Sequence, residues 1–308
     1  MLGLVFCATV LSIVGSQRAT RGGIGAIFST DALSKIAQHY NEETETRRSV
    51  CYRWESWRPV SRKWDSYLNG FRLVLCRRNF GGDGNCLFRS IAGVLRTHGI
   101  KRRVTGITAT HLHPALSKSL NEYDFSGRYY SIQDLRAISA MYFIGVDPYN
   151  ADAVRMWDYD SFYSKMEVAV HLDGAQGYRD VRWKPKKVMQ DLKGGRDRVE
   201  VAKEVFDKLT RVKKPQSWGQ YEDMVAISAV LSIDFYLLGD YDTTVQLVKG
   251  PHPIDGPYPC MILYYSEMTH FDAAGLVFLG YMQERPVITS MFRSNSLPDA
   301  FSLLLPNQ

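Results

Sequence analysis

The chain has 308 residues and a mass of 35.1 kDa, with 45% apolar and 23% charged residues. This excludes wholesale disorder and collagen-like repeats, and a chain of this length buries most of its apolar surface without disulfide staples. The net charge of +6 is uneven: residues 1–80 carry 12 Lys/Arg against 6 Asp/Glu, while residues 81–308 carry 26 of each, which argues against nucleic acid as a partner of the main body.

Residues 1–14 are uncharged and, apart from Thr9 and Ser12, apolar, and Gly15 and Ser16 follow. The run is shorter than the ~20 residues of a membrane span. It has the h-region and small-residue site of a secretory signal peptide or signal anchor, without a basic n-region. The expected location is the secretory pathway or outside the cell, with a plastid-type organelle as a variant. A cytoplasmic location is expected if the run is instead a buried element. Contact with a membrane is expected only through this segment. Residues 17–70 read as a basic, aromatic and partly helical extension. Trp54, Trp57 and Trp64 lie among Arg53, Arg58, Arg62 and Lys63. Such interleaving can stack bases, but a helical lid with snorkelling arginines is the favoured reading.

Phe71–Cys76 predicts a strand, a glycine-rich turn follows at Gly81–Gly84, and a helix begins at Cys86. Between residues 101 and 214 the pattern is weaker, with helices expected over Asp160–His171 and Arg198–Val212. Tyr221–Leu231 predicts a helix. Ile233–Leu238, Met261–Tyr265 and Leu276–Met282 predict strands of a mixed sheet, with His270 and Asp272 in a loop between the last two. The five cysteines, Cys7, Cys51, Cys76, Cys86 and Cys260, form no C-x-x-C pair, and their odd number speaks against a disulfide framework. No N-x-S/T sequon occurs.

The chemistry gathers at Cys86. A thiolate is the nucleophile of a cysteine hydrolase, and a helix N-terminus favours its formation. Gly81-Gly82-Asp83-Gly84-Asn85 precedes it, and glycines there let backbone N–H groups turn toward an oxyanion. Seven histidines could serve as base. His270 is best placed, because Asp272 lies two positions on and would project to the same side in extended chain. His111-x-His113 suggests a metal but has no third ligand nearby, so no metal is expected.

Asp83-Gly84-Asn85-Cys86-Leu87-Phe88-Arg89-Ser90 resembles the signature of the ovarian tumour (OTU) family of cysteine proteases. Thr269-His270-Phe271-Asp272 and Trp218-Gly219 are similar to that family's later motifs, in the same order. The resemblance spans residues 71–283, with an insertion within 100–214 and a C-terminal tail over 284–308. It implies an α+β, papain-like core with a mixed sheet between helices and no cofactor. It also implies cleavage after the C-terminal glycine of ubiquitin or a ubiquitin-like protein, whose conjugates would be the partners. By that resemblance Cys86 is the nucleophile, His270 the base and Asp272 its orienting carboxylate. Asp83 holds the oxyanion loop, to which Gly84 and Asn85 contribute. Two other readings stand beside it. One is a ubiquitin-binding module that kept the fold without catalysis, and the other is an RNA-associated protein using the basic aromatic segment.

Overall fold

The computed structural model describes residues 30–81, 84–102, 128–146, 149, 151–155, 158, 160–161, 164, 185–210, 219–240, 243–250, 258–266, 270–280, 287–293 and 298–305. Residues 1–16, Asp83, His111, His113, His171, Trp218, His252 and Thr269 lie outside them, as does most of the helix expected over Asp160–His171.

Helix α1 spans Thr30–Arg48 and leads through a 3-10 turn to strand β1 (Trp57–Pro59), helix α2 (Arg62–Leu68) and strand β2 (Leu73–Arg78). Helix α3 follows at Cys86–Thr97. Helices α4 (Ile132–Ile144), α5 (Ala151–Arg155), α6 (Pro185–Lys193), α7 (Arg198–Thr210) and α8 (Tyr221–Leu231) come next. Strands β3 (Asp234–Gly239), β4 (Val245–Val248), β5 (Pro259–Ser266), β6 (His270–Phe278), β7 (Ile288–Thr289) and β8 (Met291–Arg293) precede the short helix α9 (Asp299–Ser302). The sheet runs β1-β2-β6-β5-β3-β4, with β7 on β6 and β8 on β5. Among the described residues, β3 and β5 pair in parallel and the other pairings are antiparallel.

Alternation along the strands explains why helices cover both faces. Phe235, Leu237, Met261, Leu263, Phe271 and Ala273 face one core, shared with α3, α4, α7 and α8. Their neighbours Tyr236, Leu238, Ile262, Tyr264, Ala274 and Leu276 face a second core, filled by Trp64, Leu68 and Phe301. Apolar side chains at every position mark a strand buried on both sides. The fold is α+β, with a mixed sheet between helices.

The sheet takes in segments on both sides of residues 71–283, and two expectations are corrected. β1 pairs antiparallel with β2, and α2 buries Trp64 and Leu68, so residues 57–68 are built into the core. β7, β8 and α9, within the stretch expected as a tail, likewise pair with or pack on the sheet. The odd cysteine count concealed a bridge: Cys51 and Cys76 form a disulfide, with Cα atoms 5.6 Å apart. Both are fully buried, a pairing that spacing alone does not reveal. Finally, His270 and Asp272 lie not in a loop but on β6, which begins at His270.

Candidate active site

Cys86 is the first residue of α3 and is 2% exposed. Leu87, Phe88, Ile91, Val94 and Leu95 bury one face of that helix, which fixes its N-terminus in place. Ser90 Oγ donates to the Phe271 carbonyl at 3.1 Å, tying the helix to β6 one residue past His270. The first N–H groups of such a helix have no intrahelical acceptor.

The turn before Cys86 is held from behind. Gly84 adopts φ +79°, a left-handed conformation that favours glycine. Its carbonyl accepts from Arg136 Nη2 at 3.0 Å and from the Gly219 N–H at 3.4 Å. Arg136 Nε also donates to Asn85 Oδ1 at 3.0 Å, and its guanidinium lies 4.3 Å from the Phe88 ring centre. Arg136 is fully buried, so these contacts replace the water it gave up. Gly219 permits the close approach on the other side: a Cβ there would lie 2.7 Å from Leu87 Cβ.

His270 is contributed by the first residue of β6. Its Nε2 lies 3.0 Å from Asp272 Oδ1. Asp272 is fully buried, and its second oxygen accepts from Arg77 Nη1 at 3.1 Å. The Cys86 thiol and the His270 imidazole each act on the other's ionisation. Burial alone would raise the Cys86 pKa, but hydrogen bonds to His270 and to the Phe271 backbone, with the charge of His270, bring it below the ordinary thiol value. His270 is raised to about 10, first by its hydrogen bond to Asp272 and then by that to Cys86, against desolvation. The two shifts have one cause: each charged partner stabilises the other.

Cys86, His270 and Asp272 are thus brought together, with Gly84 and Asn85 beside them. Asp83 lies outside the described residues. Sequence reasoning missed Arg136, Arg77 and Asn79. A lone arginine inside the apolar run Leu135–Ile144 signals a buried, paired cation; Arg77 and Asn79 carry no such signal, since only the β2–β6 pairing places them by the site. Among the described residues, no group of three or more His, Cys, Asp or Glu side chains is placed to hold a metal ion.

A thiol, an imidazole and a carboxylate so arranged at a helix start can form a thiolate–imidazolium pair, the chemistry that nucleophilic attack on an acyl group requires. Three solved structures similar to the chain are OTU domains. An OTU domain in complex with ubiquitin has a TM-score of 0.34 at 12% identity, covering 81% of this chain and 88% of that one. The OTUD1 OTU domain has a TM-score of 0.32 at 16% identity, covering 69% and 92%. The viral OTU domain protease from Farallon virus has a TM-score of 0.31 at 14% identity, covering 67% and 92%. No family model and no curated protein matches the sequence.

Proposed function

We propose that the chain is an OTU-type thiol protease that hydrolyses isopeptide bonds after the C-terminal glycine of ubiquitin or a ubiquitin-like protein. The observation that carries this is the junction of Cys86, His270 and Asp272, with Cys86 lying inside the OTU-like run from Asp83 to Ser90. The site supports the reaction class. The choice of ubiquitin or a relative rests on that motif's resemblance.

In this reading the Cys86 thiolate attacks the glycine carbonyl, and the oxyanion meets backbone N–H groups at the start of α3. The imidazolium of His270 gives its proton to the departing lysine amine, leaving a thioester on Cys86. Neutral His270 then takes a proton from water, which attacks the thioester and releases the glycine carboxylate and the thiol. Asp272 favours a ring proton on Nε2, which leaves the other ring nitrogen to exchange protons with the thiol. Asp83 would brace the oxyanion loop. The buried Cys51–Cys76 disulfide supports an oxidising compartment, in keeping with a signal at residues 1–16.

The test is reaction of the full chain with ubiquitin bearing a C-terminal thiol-reactive group, beside Cys86→Ala. An adduct in the wild type alone supports the reading. A folded wild type that binds ubiquitin without forming an adduct would instead support the non-catalytic module.

A further inference from the structure

The Nε2 edge of His270 has a second neighbour. Asn79 Nδ2 lies 2.8 Å from it, closer than the Asp272 oxygen at 3.0 Å. The other end of that amide is also engaged, because Oδ1 accepts from the Gly81 N–H at 2.6 Å. The sheet explains the placement. β2 and β6 pair with Arg77 opposite Ala274 and Arg78 opposite Ala273, so the chain leaving β2 delivers Asn79 to the level of Asp272.

A carboxamide has an oxygen that only accepts and a nitrogen that only donates. With its oxygen committed to Gly81, Asn79 turns N–H groups toward Nε2. That suits a ring whose Nε2 is bare. It opposes a ring whose Nε2 carries a proton, the form that Asp272 holds. Turning the amide over would satisfy Nε2–H but set donor against donor at Gly81. One amide cannot serve both neighbours while the imidazole is charged. Asp272 wins the contest, since a charge-assisted bond is about twice as strong as a neutral one.

We propose that Asn79 is a positioning residue for His270, sharing the Nε2 edge with Asp272 and coupling the imidazole to the Gly81 end of the loop that precedes Cys86. It sets how readily the ring takes up its second proton, and so how much of the thiolate–imidazolium pair exists. The inference rests on the Cys86–His270 reading above. Among the described residues, the titratable or charged groups around this ring are Cys86 from α3, Asp272 on the same strand, and Arg77 from β2 behind Asp272.

The discriminating variant is Asn79→Asp. It keeps the side-chain shape and the Gly81 contact, yet offers a second oxygen to Nε2–H. Asn79 is exposed, so the added charge carries no burial cost. In the full chain, Asn79→Asp should move the His270 titration, followed by NMR of the imidazole, upward by about one pH unit, a tenfold change in proton affinity. The alkaline limb of kcat/KM on fluorogenic ubiquitin should move with it. Asp272→Asn should lower kcat at least ~10-fold, and Asp272→Asn with Asn79→Asp should regain about 5-fold of that loss, with KM little changed. An unmoved titration together with no recovery in the double variant would overturn the proposal and leave Asn79 a turn residue. A moved titration in a chain that never cleaves ubiquitin would keep the positioning role and sink the deubiquitinase reading instead.

Discussion

Cys86 and His270 titrate as a pair, so the pH dependence belongs to both. The thiolate forms below the ordinary thiol value because the imidazole is protonated, and the imidazolium persists until about pH 10. The thiolate–imidazolium pair of the proposed mechanism therefore exists between the lowered Cys86 value and about pH 10. It is lost on the acid side when the thiolate takes a proton, and on the alkaline side when His270 releases one. Turnover against pH should show a broad plateau with its alkaline limb well above the ~6.5 of an ordinary histidine. An alkaline limb near 6.5 would contradict the coupling. Arg136 acts one layer behind. Removing it as Arg136→Met takes a charged donor from Asn85 Oδ1 and from the Gly84 carbonyl, which keeps the Gly219 N–H, at a cost of about 1.5–3 kcal/mol for each charge-assisted bond lost. Turnover should fall at least ~10-fold, and the chain should remain folded by circular dichroism.

At the scale of elements, α3 carries the proposed nucleophile, Cys86, and is fixed by its own apolar face. Leu87→Ala should destabilise the protein by about 2–5 kcal/mol, measured by denaturant unfolding, because Leu87 is fully buried between α3 and the Gly219 approach. Strand β2 serves two purposes. Its Cys76 bridges to Cys51, and its Arg77 reaches Asp272 on β6. The bridge closes a 25-residue separation. A loop of that size corresponds to about 3.5 kcal/mol in chain entropy, so Cys51→Ala with Cys76→Ala should lower Tm measurably. These variants should leave the His270–Asp272 hydrogen bond in place, since β2 stays paired with β6 through six residue pairs.

At the scale of the molecule, two cores on opposite faces of one sheet make the flanking segments part of the fold. A chain cut to residues 71–283 would lose Trp64, Leu68 and Phe301 from the second core. It would leave Leu75, Ile262, Tyr264 and Leu276 uncovered, and sheet faces of that kind associate. Such a fragment should aggregate or unfold, whereas the full chain remains monodisperse in size-exclusion chromatography. A stable, monodisperse fragment would show that the catalytic unit ends where the motifs end.

Short-range physics made part of this readable in the sequence. The periods of 3.6 and 2 are local, and α3, α8, β3 and β5 fall within a few residues of where those periods place them. The turn chemistry of Gly84 and Asn85 and the His270-x-Asp272 spacing are local as well, which is why these candidates could be picked out without coordinates, with their roles implied by the family resemblance. What only the tertiary structure decided depends on pairing between distant segments. The β1–β2 ladder drew residues 57–59 into the sheet, and the Cys51–Cys76 bridge needed two elements folded together. Arg136 comes from a helix 50 residues downstream of the nucleophile, and the β2–β6 register sets Arg77 and Asn79 beside the imidazole. Register is a property of two strands at once, and no pattern within either strand encodes it.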